Sequence, residues 1–296
     1  MTQTNAFQAF SEFAEGVAAN EVSSDLTASH RARSQARNSQ GACRICEART
    51  NLYFRSRILS KYDVAYYLCD NCGFLGTERP YWLDEAYANP IAAEDVDLVG
   101  RNLRMRRILT CVLPACFGRD ATLLDLAGGY GLLTRLMRNN GMAFSWSDKH
   151  CANLFAKEYE WNEAHGRVSA ATAFEVLEHL EDPLAFIRDA LDKTSTRTLI
   201  FTTQLFEGRP PHPGKWSYYA PEGGQHIAFY QPRTLAHIAR LLGLNFYSRN
   251  GIHFLTALRL RPNLLGILTG KFSHIAYFAS RLALLLKFRM PRLLRA

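Results

Sequence analysis

The chain has 296 residues, 48% of them hydrophobic, and a formal net charge of +8. That length allows one or two domains with a sizeable core. No run of 18 uncharged apolar residues marks a membrane-spanning helix, and no charged-then-apolar leader opens the chain. The seven cysteines are an odd number, and four of them form two C-x-x-C pairs. This usage predicts a reduced, cytoplasmic protein that holds metal, and argues against a disulfide scaffold.

Residues 1–40 are rich in Ser, Ala, Asn, Gln and Thr, so they are expected to be disordered apart from a short helix near 7–13. Residues 41–80 hold the cysteine pairs. Residues 81–118 read as a helical connector, because Met105, Ile108, Leu109 and Val112 recur on one helix face. Alternation follows. Strands are predicted at 122–126, 143–147, 168–174 and 197–203, with helices at 132–140, 184–191 and 231–242. Residues 244–248 and 253–258 flank Arg249-Asn250-Gly251, and Asn-Gly is a strong hairpin signal. Alternating strands and helices over 119–260 predict an α/β domain whose mostly parallel sheet carries helices on both faces, with an antiparallel hairpin at its edge.

Cys43-Arg-Ile-Cys46 and Cys69-Asp-Asn-Cys72 are separated by 22 intervening residues. Each C-x-x-C turn offers two thiolates from one tight loop, and two such loops close a tetrahedral zinc site with no open position. Zinc here is therefore expected to be structural. Cys111, Cys116 and Cys151 are left over as core or incidental residues.

The stretch Leu123-Leu-Asp-Leu-Ala-Gly-Gly-Tyr-Gly131 ends an apolar run in an acid and then crowds three glycines into a turn. Bare backbone there lets a ligand approach closely, and the next helix presents its N-terminus to that ligand. The G-x-G-x-x-G dinucleotide pattern fails at its third position, Thr134. No Gly-Lys-Ser/Thr follows, which excludes a phosphate loop. Asp125 would repel a pyrophosphate but suits a cationic amino group. Asp148 ends the next strand, 23 residues on, where a carboxylate can accept from ribose hydroxyls. An amino-acid cation joined to a ribonucleoside describes S-adenosylmethionine.

These residues resemble class I S-adenosylmethionine-dependent methyltransferases. Their Asp-x-Gly-x-Gly-x-Gly pattern stands here as Asp125-Leu-Ala127-Gly128-Gly129-Tyr130-Gly131, with Ala127 departing at the first glycine. The stretch Thr172-Ala-Phe-Glu-Val-Leu-Glu-His-Leu-Glu-Asp-Pro183 is similar to the family's E-x-x-E-H-x-x-D-P segment. The resemblance spans about residues 105–260 and implies a seven-stranded sheet. It also implies a cofactor site of Asp125, Ala127, Gly128, Gly129, Tyr130, Gly131, Asp148, Phe174 and Glu175. A Cys₄ module ahead of this domain resembles the sugar C-methyltransferases, in which a His after the fifth strand serves as general base. Gly224-Gln-His-Ile-Ala-Phe-Tyr230 looks like that segment and makes His226 the candidate. Glu178 and His179 either serve the site or brace the helix that follows. The aromatic run 216–222 suits a sugar or nucleotide acceptor, so Tyr219 and Glu175 join His226 as candidate catalytic residues. Two alternatives stand beside a sugar or nucleotide-linked sugar as the small-molecule acceptor. One is an O-methyltransferase of the quinone-pathway kind. The other is a zinc-ribbon nucleic-acid-binding protein with a degenerate domain, against which the intact acid and glycine set argues.

No Asp or Glu follows Glu222, and residues 254–296 hold eight Lys and Arg, as many as the whole net charge. This basic tail, 261–296, is read first as a helix docked on the core and second as an amphipathic segment on an anionic membrane surface. Nucleic-acid binding ranks last, because its arginines lack interleaved aromatics.

Overall fold

The computed structural model describes residues 41–88 and 97–286. The expectations for 1–40, and the end of the basic tail from 287, lie outside those residues. Six strands form the central sheet in the order β5-β4-β6-β7-β10-β9. They are β4 (Thr122–Leu126), β5 (Ala143–Ser147), β6 (Ala170–Phe174), β7 (Thr198–Thr202), β9 (Asn245–Arg249) and β10 (Ile252–Thr256). β5, β4, β6 and β7 are parallel, while β10 runs antiparallel to both β7 and β9. The hairpin at Asn250-Gly251 is present. Its antiparallel strand is β10, inside the sheet, and the edge is β9. β10 and β9 together form the expected antiparallel hairpin at the edge of the sheet. Among the described residues this sheet has six strands where seven are expected. Among the described residues, β5 gains beyond it one parallel bridge, Trp146 with Glu160, because residues 148–169 fold into loops and two short 3₁₀ turns.

Side chains alternate across this sheet with the period of two that strands impose. On one face Leu123, Phe144, Ala170, Ile200 and Phe254 pack under α1 (Leu98–Phe117), α2 (Leu132–Asn139), α5 (Pro262–Thr269) and α6 (Ser273–Leu285). On the other, Ala171, Ala173, Leu199, Phe201 and Leu255 pack under α3 (Pro183–Lys193) and α4 (Pro232–Leu241). The helix face Met105, Ile108, Leu109 and Val112 is buried in α1 as the spacing predicts.

The cysteine segment adds a second, antiparallel sheet in the order β1-β2-β3-β8, from β1 (Asn51–Ile58), β2 (Tyr62–Leu68), β3 (Leu75–Thr77) and β8 (Ala228–Phe229). β8 belongs to the loop after β7, so the segment and the α/β core share one sheet. They also share a core: Cys43, Cys69, Cys72 and Phe74 pack in the same buried cluster as Leu184, Leu235 and Tyr230. Thr234 Oγ1 donates to the Cys72 carbonyl at 2.8 Å, which ties α4 to the second C-x-x-C turn. Phe229 is fully buried against Tyr66, Trp216, Tyr218 and Tyr219. Truncating it opens a cavity at this joint, so Phe229→Ala is expected to lower unfolding stability by about 3–5 kcal/mol, read as a drop in the denaturant midpoint.

Candidate active site

The candidate site residues gather at the carboxyl ends of β4, β5 and β6, where ligands bind in sheets of this kind. Asp125, on β4, is 3% exposed and accepts from Thr172 Oγ1 at 2.7 Å. Burial, with the Asp148 charge adding to it, pushes its pKa up to about 7 against the pull of Thr172. The turn above it is tightly built. Ala127 holds φ +52° in the left-handed region where the family pattern has glycine, at a cost of roughly 1–2 kcal/mol. A Cβ on Gly128 would lie 2.7 Å from the Trp146 ring and 3.0 Å from Asp125 Oδ2, so only glycine fits. Trp146 Nε1 donates to the Gly129 carbonyl at 2.9 Å. Gly131, at φ +84°, starts α2. Tyr130 is partly exposed on the turn, and its carbonyl accepts from the Leu154 and Phe155 amides.

Asp148 is braced by backbone. Oδ2 accepts from the Gly129 amide at 2.8 Å, and Oδ1 from His150 and Cys151 at 2.7 and 2.9 Å. Those bonds occupy three of about four acceptor positions on a carboxylate. The Asp148 side chain is thus pre-set in one orientation, with room for one further donor. Phe174 and Glu175 end β6. Phe174 packs against the helical core. Glu175 has φ +53°, with its amide donating to Thr202 Oγ1 at 3.1 Å.

A second group lies beside these. Glu178, His179 and His226 bring one ligand-type atom each within 4.8 Å of one another. The His179 and His226 rings meet edge to face, 4.8 Å apart. His226 Nδ1 donates to the Tyr218 carbonyl at 2.6 Å, since a carbonyl can only accept, and this leaves Nε2 with its lone pair. His179 Nδ1 pairs with the Tyr87 hydroxyl at 3.1 Å. Burial lowers both imidazoles, His179 to about 3, with His226 itself adding to the shift of His179. Glu178 is fully buried, and neither of its oxygens has a hydrogen-bond partner. Burial and the Glu175 charge push its pKa well up. Tyr219 is not brought to this group. Its ring packs against Phe54, Tyr66 and Phe229, and its hydroxyl donates to the Pro211 carbonyl at 2.8 Å. Tyr87, Trp146 and Thr172 are not legible as site residues in the sequence, because only tertiary packing carries them there, whereas Tyr218 belongs to the aromatic run already marked.

The cysteines also come together. Cys43 and Cys72 Sγ lie 3.5 Å apart, Cys46 and Cys69 Sγ 3.4 Å, and all four are within 4.8 Å of one another. The Ile45 amide points at Cys43 Sγ at 3.4 Å. Crowding pulls Cys43 down in pKa, because the Cys72 thiol bonds to it, and pushes Cys72 up. Four soft donors this close fit a tetrahedral zinc ion.

The family model described as "Methyltransferase domain" matches residues 100–248. No curated protein matches the chain in sequence. Similar solved structures include the mitomycin 7-O-methyltransferase MmcR, at 13% identity and TM-score 0.41, covering 59% of each chain. An O-methyltransferase family 2 protein from Planctomyces limnophilus, solved with apigenin, is 14% identical with TM-score 0.40 and covers 58% of this chain and 64% of that one. The magnesium protoporphyrin IX methyltransferase ChlM from Synechocystis PCC 6803, solved with SAH, is 16% identical with TM-score 0.36 and covers 60% of this chain and 94% of that one. This chain spans about three fifths of the length of the first two.

Burial lets Asp125 keep its proton up to about pH 7 in the folded chain, whereas the unfolded chain releases it above about pH 3.9. A raised carboxylate stabilises the native state at low pH, and that contribution fades as pH rises toward about 7. Unfolding free energy is therefore expected to fall from pH 4 to 7 more steeply in the wild type than in Asp125→Asn, measured by denaturant titration at each pH.

Proposed function

This chain belongs to the methyltransferase-domain family, and from that premise we propose that it transfers the methyl group of S-adenosylmethionine to a sugar or nucleotide-linked sugar, with a structural zinc ion on Cys43, Cys46, Cys69 and Cys72. One observation carries this reading. A buried Asp125 carboxylate without a counter-charge lies under a glycine turn whose other end is clamped to a braced Asp148. A bound ammonium would supply the missing charge and hold Asp125 ionised. The fourth acceptor position of Asp148 would take a ribose hydroxyl.

Methyl transfer is an in-line displacement. S-adenosylmethionine held by Asp125, the glycine turn and Asp148 would supply a methyl carbon activated for that displacement, with a neutral thioether as its leaving group. The protein's part is placement. Placement of this kind can contribute roughly 7–11 kcal/mol. The acceptor's proton goes to His226 Nε2. The Tyr218 carbonyl holds the opposite nitrogen protonated, and burial keeps the ring neutral and able to accept. The His179 ring, itself bonded to the Tyr87 hydroxyl, packs edge to face with that ring and helps to position it.

A second reading rests on Glu178. Its two unpartnered oxygens beside two imidazoles are a donor set suited to a divalent cation. A cation there would lower the pKa of an acceptor hydroxyl, which favours O-methyl transfer to a small molecule.

Calorimetric titration of S-adenosylmethionine and S-adenosylhomocysteine is expected to show micromolar binding that Asp125→Asn and Asp148→Asn both weaken at least tenfold. Absence of binding to intact protein would overturn the proposal. His226→Gln is expected to lower kcat by roughly 10²–10⁴ while cofactor affinity stays within a few-fold. Added Mn²⁺ leaves the rate unchanged on the first reading, and on the second raises it in a way that Glu178→Gln abolishes. Elemental analysis is expected to find one zinc per chain in the wild type and none in Cys72→Ser, whose thermal midpoint falls.

A further inference from the structure

The helix α6 is built inside out. Its inward residues are Ser273, Tyr277, Ser280 and Leu284, all buried at the i, i+4, i+7, i+11 spacing of one helix face. That face docks on α1 largely through polar groups. Arg107 Nε donates to Ser273 Oγ at 3.1 Å, and the Arg106 guanidinium lies 5.5 Å over the Tyr277 ring. The large apolar residues point the other way. Ile275 is 72% exposed, Phe278 69%, Leu282 57% and Leu285 62%, with Phe272 and Leu286 continuing the stripe at the two ends. Ile267 on α5 is also exposed. Single exposed apolar residues need no explanation, but a contiguous stripe of this size marks an interaction surface.

Charge selects the occupant. Lys271 and Arg281 are exposed on the helix pair, and Lys287, Arg289, Arg292 and Arg295 follow directly in sequence. From residue 223 to 296 there is no carboxylate side chain to offset them. A second copy of the same face would set these cations against one another. No helix among the described residues is long and apolar enough to cross a membrane. An apolar stripe of Phe, Ile and Leu with Lys271 and Arg281 exposed beside it matches the acyl–headgroup boundary of an anionic bilayer. We propose that the outer face of α6, with Lys271 and Arg281 beside it, is a docking surface for an anionic membrane, on which the helix lies in the interface plane. This inference does not depend on the methyl-transfer reading.

The test is flotation of the purified full chain with vesicles of phosphatidylcholine alone or with 30% phosphatidylglycerol. The chain is expected to float with the anionic vesicles, at least tenfold less with the neutral ones, and progressively less as salt is raised. Ile275→Glu/Phe278→Glu is expected to lose flotation at least tenfold while its circular dichroism melt is unchanged, since both side chains are exposed. Lys271→Glu/Arg281→Glu is expected to weaken it less. The proposal fails if the wild-type chain floats with neither vesicle, if it floats equally with both, or if the Ile275/Phe278 variant floats as well as wild type. It also fails if sedimentation shows the stripe buried in a dimer that this variant dissociates while flotation is absent.

Discussion

The pairing of β3 with β8 is the joint on which the rest of this molecule turns. β8 is only two residues long, yet it sits in the sheet built by the cysteine segment. The residues around it are laced to that segment as well. Trp82 Nε1 donates to the Gly224 carbonyl, Gln225 Nε2 to the Ala86 carbonyl, and the Thr77 amide to the Ile227 carbonyl. From the other side the Ile227 amide donates to the Glu178 carbonyl, and the Tyr230 hydroxyl to that of Leu177. His226 lies within this lattice. The sheet of the cysteine segment thus sets where the His226 imidazole stands.

Desolvation governs the electrostatics of the site. Burial raises Asp125 and Glu178 and lowers His179 and His226, and in each case it is the largest cause. Each group is displaced toward its neutral form because the cleft provides little counter-charge. Such a cleft is poorly arranged for stability and well arranged to receive charge, the usual compromise where a site departs from local rules. Ala127 and Glu175, both non-glycine residues at positive φ, store strain at the same strand ends.

The missing seventh strand belongs to the same region. Residues 148–169 wrap the turn as loops instead of extending the sheet. Asn153 and Ala156 press against Gly131, and the Leu154 and Phe155 amides bind the Tyr130 carbonyl. The chain thus gives up an edge strand and gains a second layer of support for the glycine turn.

Much of this was legible in the residues. Spacing alone marked the two C-x-x-C turns, the period of α1, the alternation of β4 to β7 with their helices, and the Asn-Gly hairpin. These depend on neighbours close in sequence, and the backbone answers locally to glycine, periodicity and capping. The acid and glycine set around Asp125 was legible for the same reason. Tertiary structure alone decided that β10 lies inside the sheet, that the cysteine segment shares a sheet and a core with the α/β domain, and that Tyr219 packs away while Tyr87 reaches His179. Only the fold, too, turned the apolar side of α6 outward. Each of those outcomes is settled between residues far apart in the chain, where register, burial and competition for the same surface choose among arrangements that the local pattern allows equally.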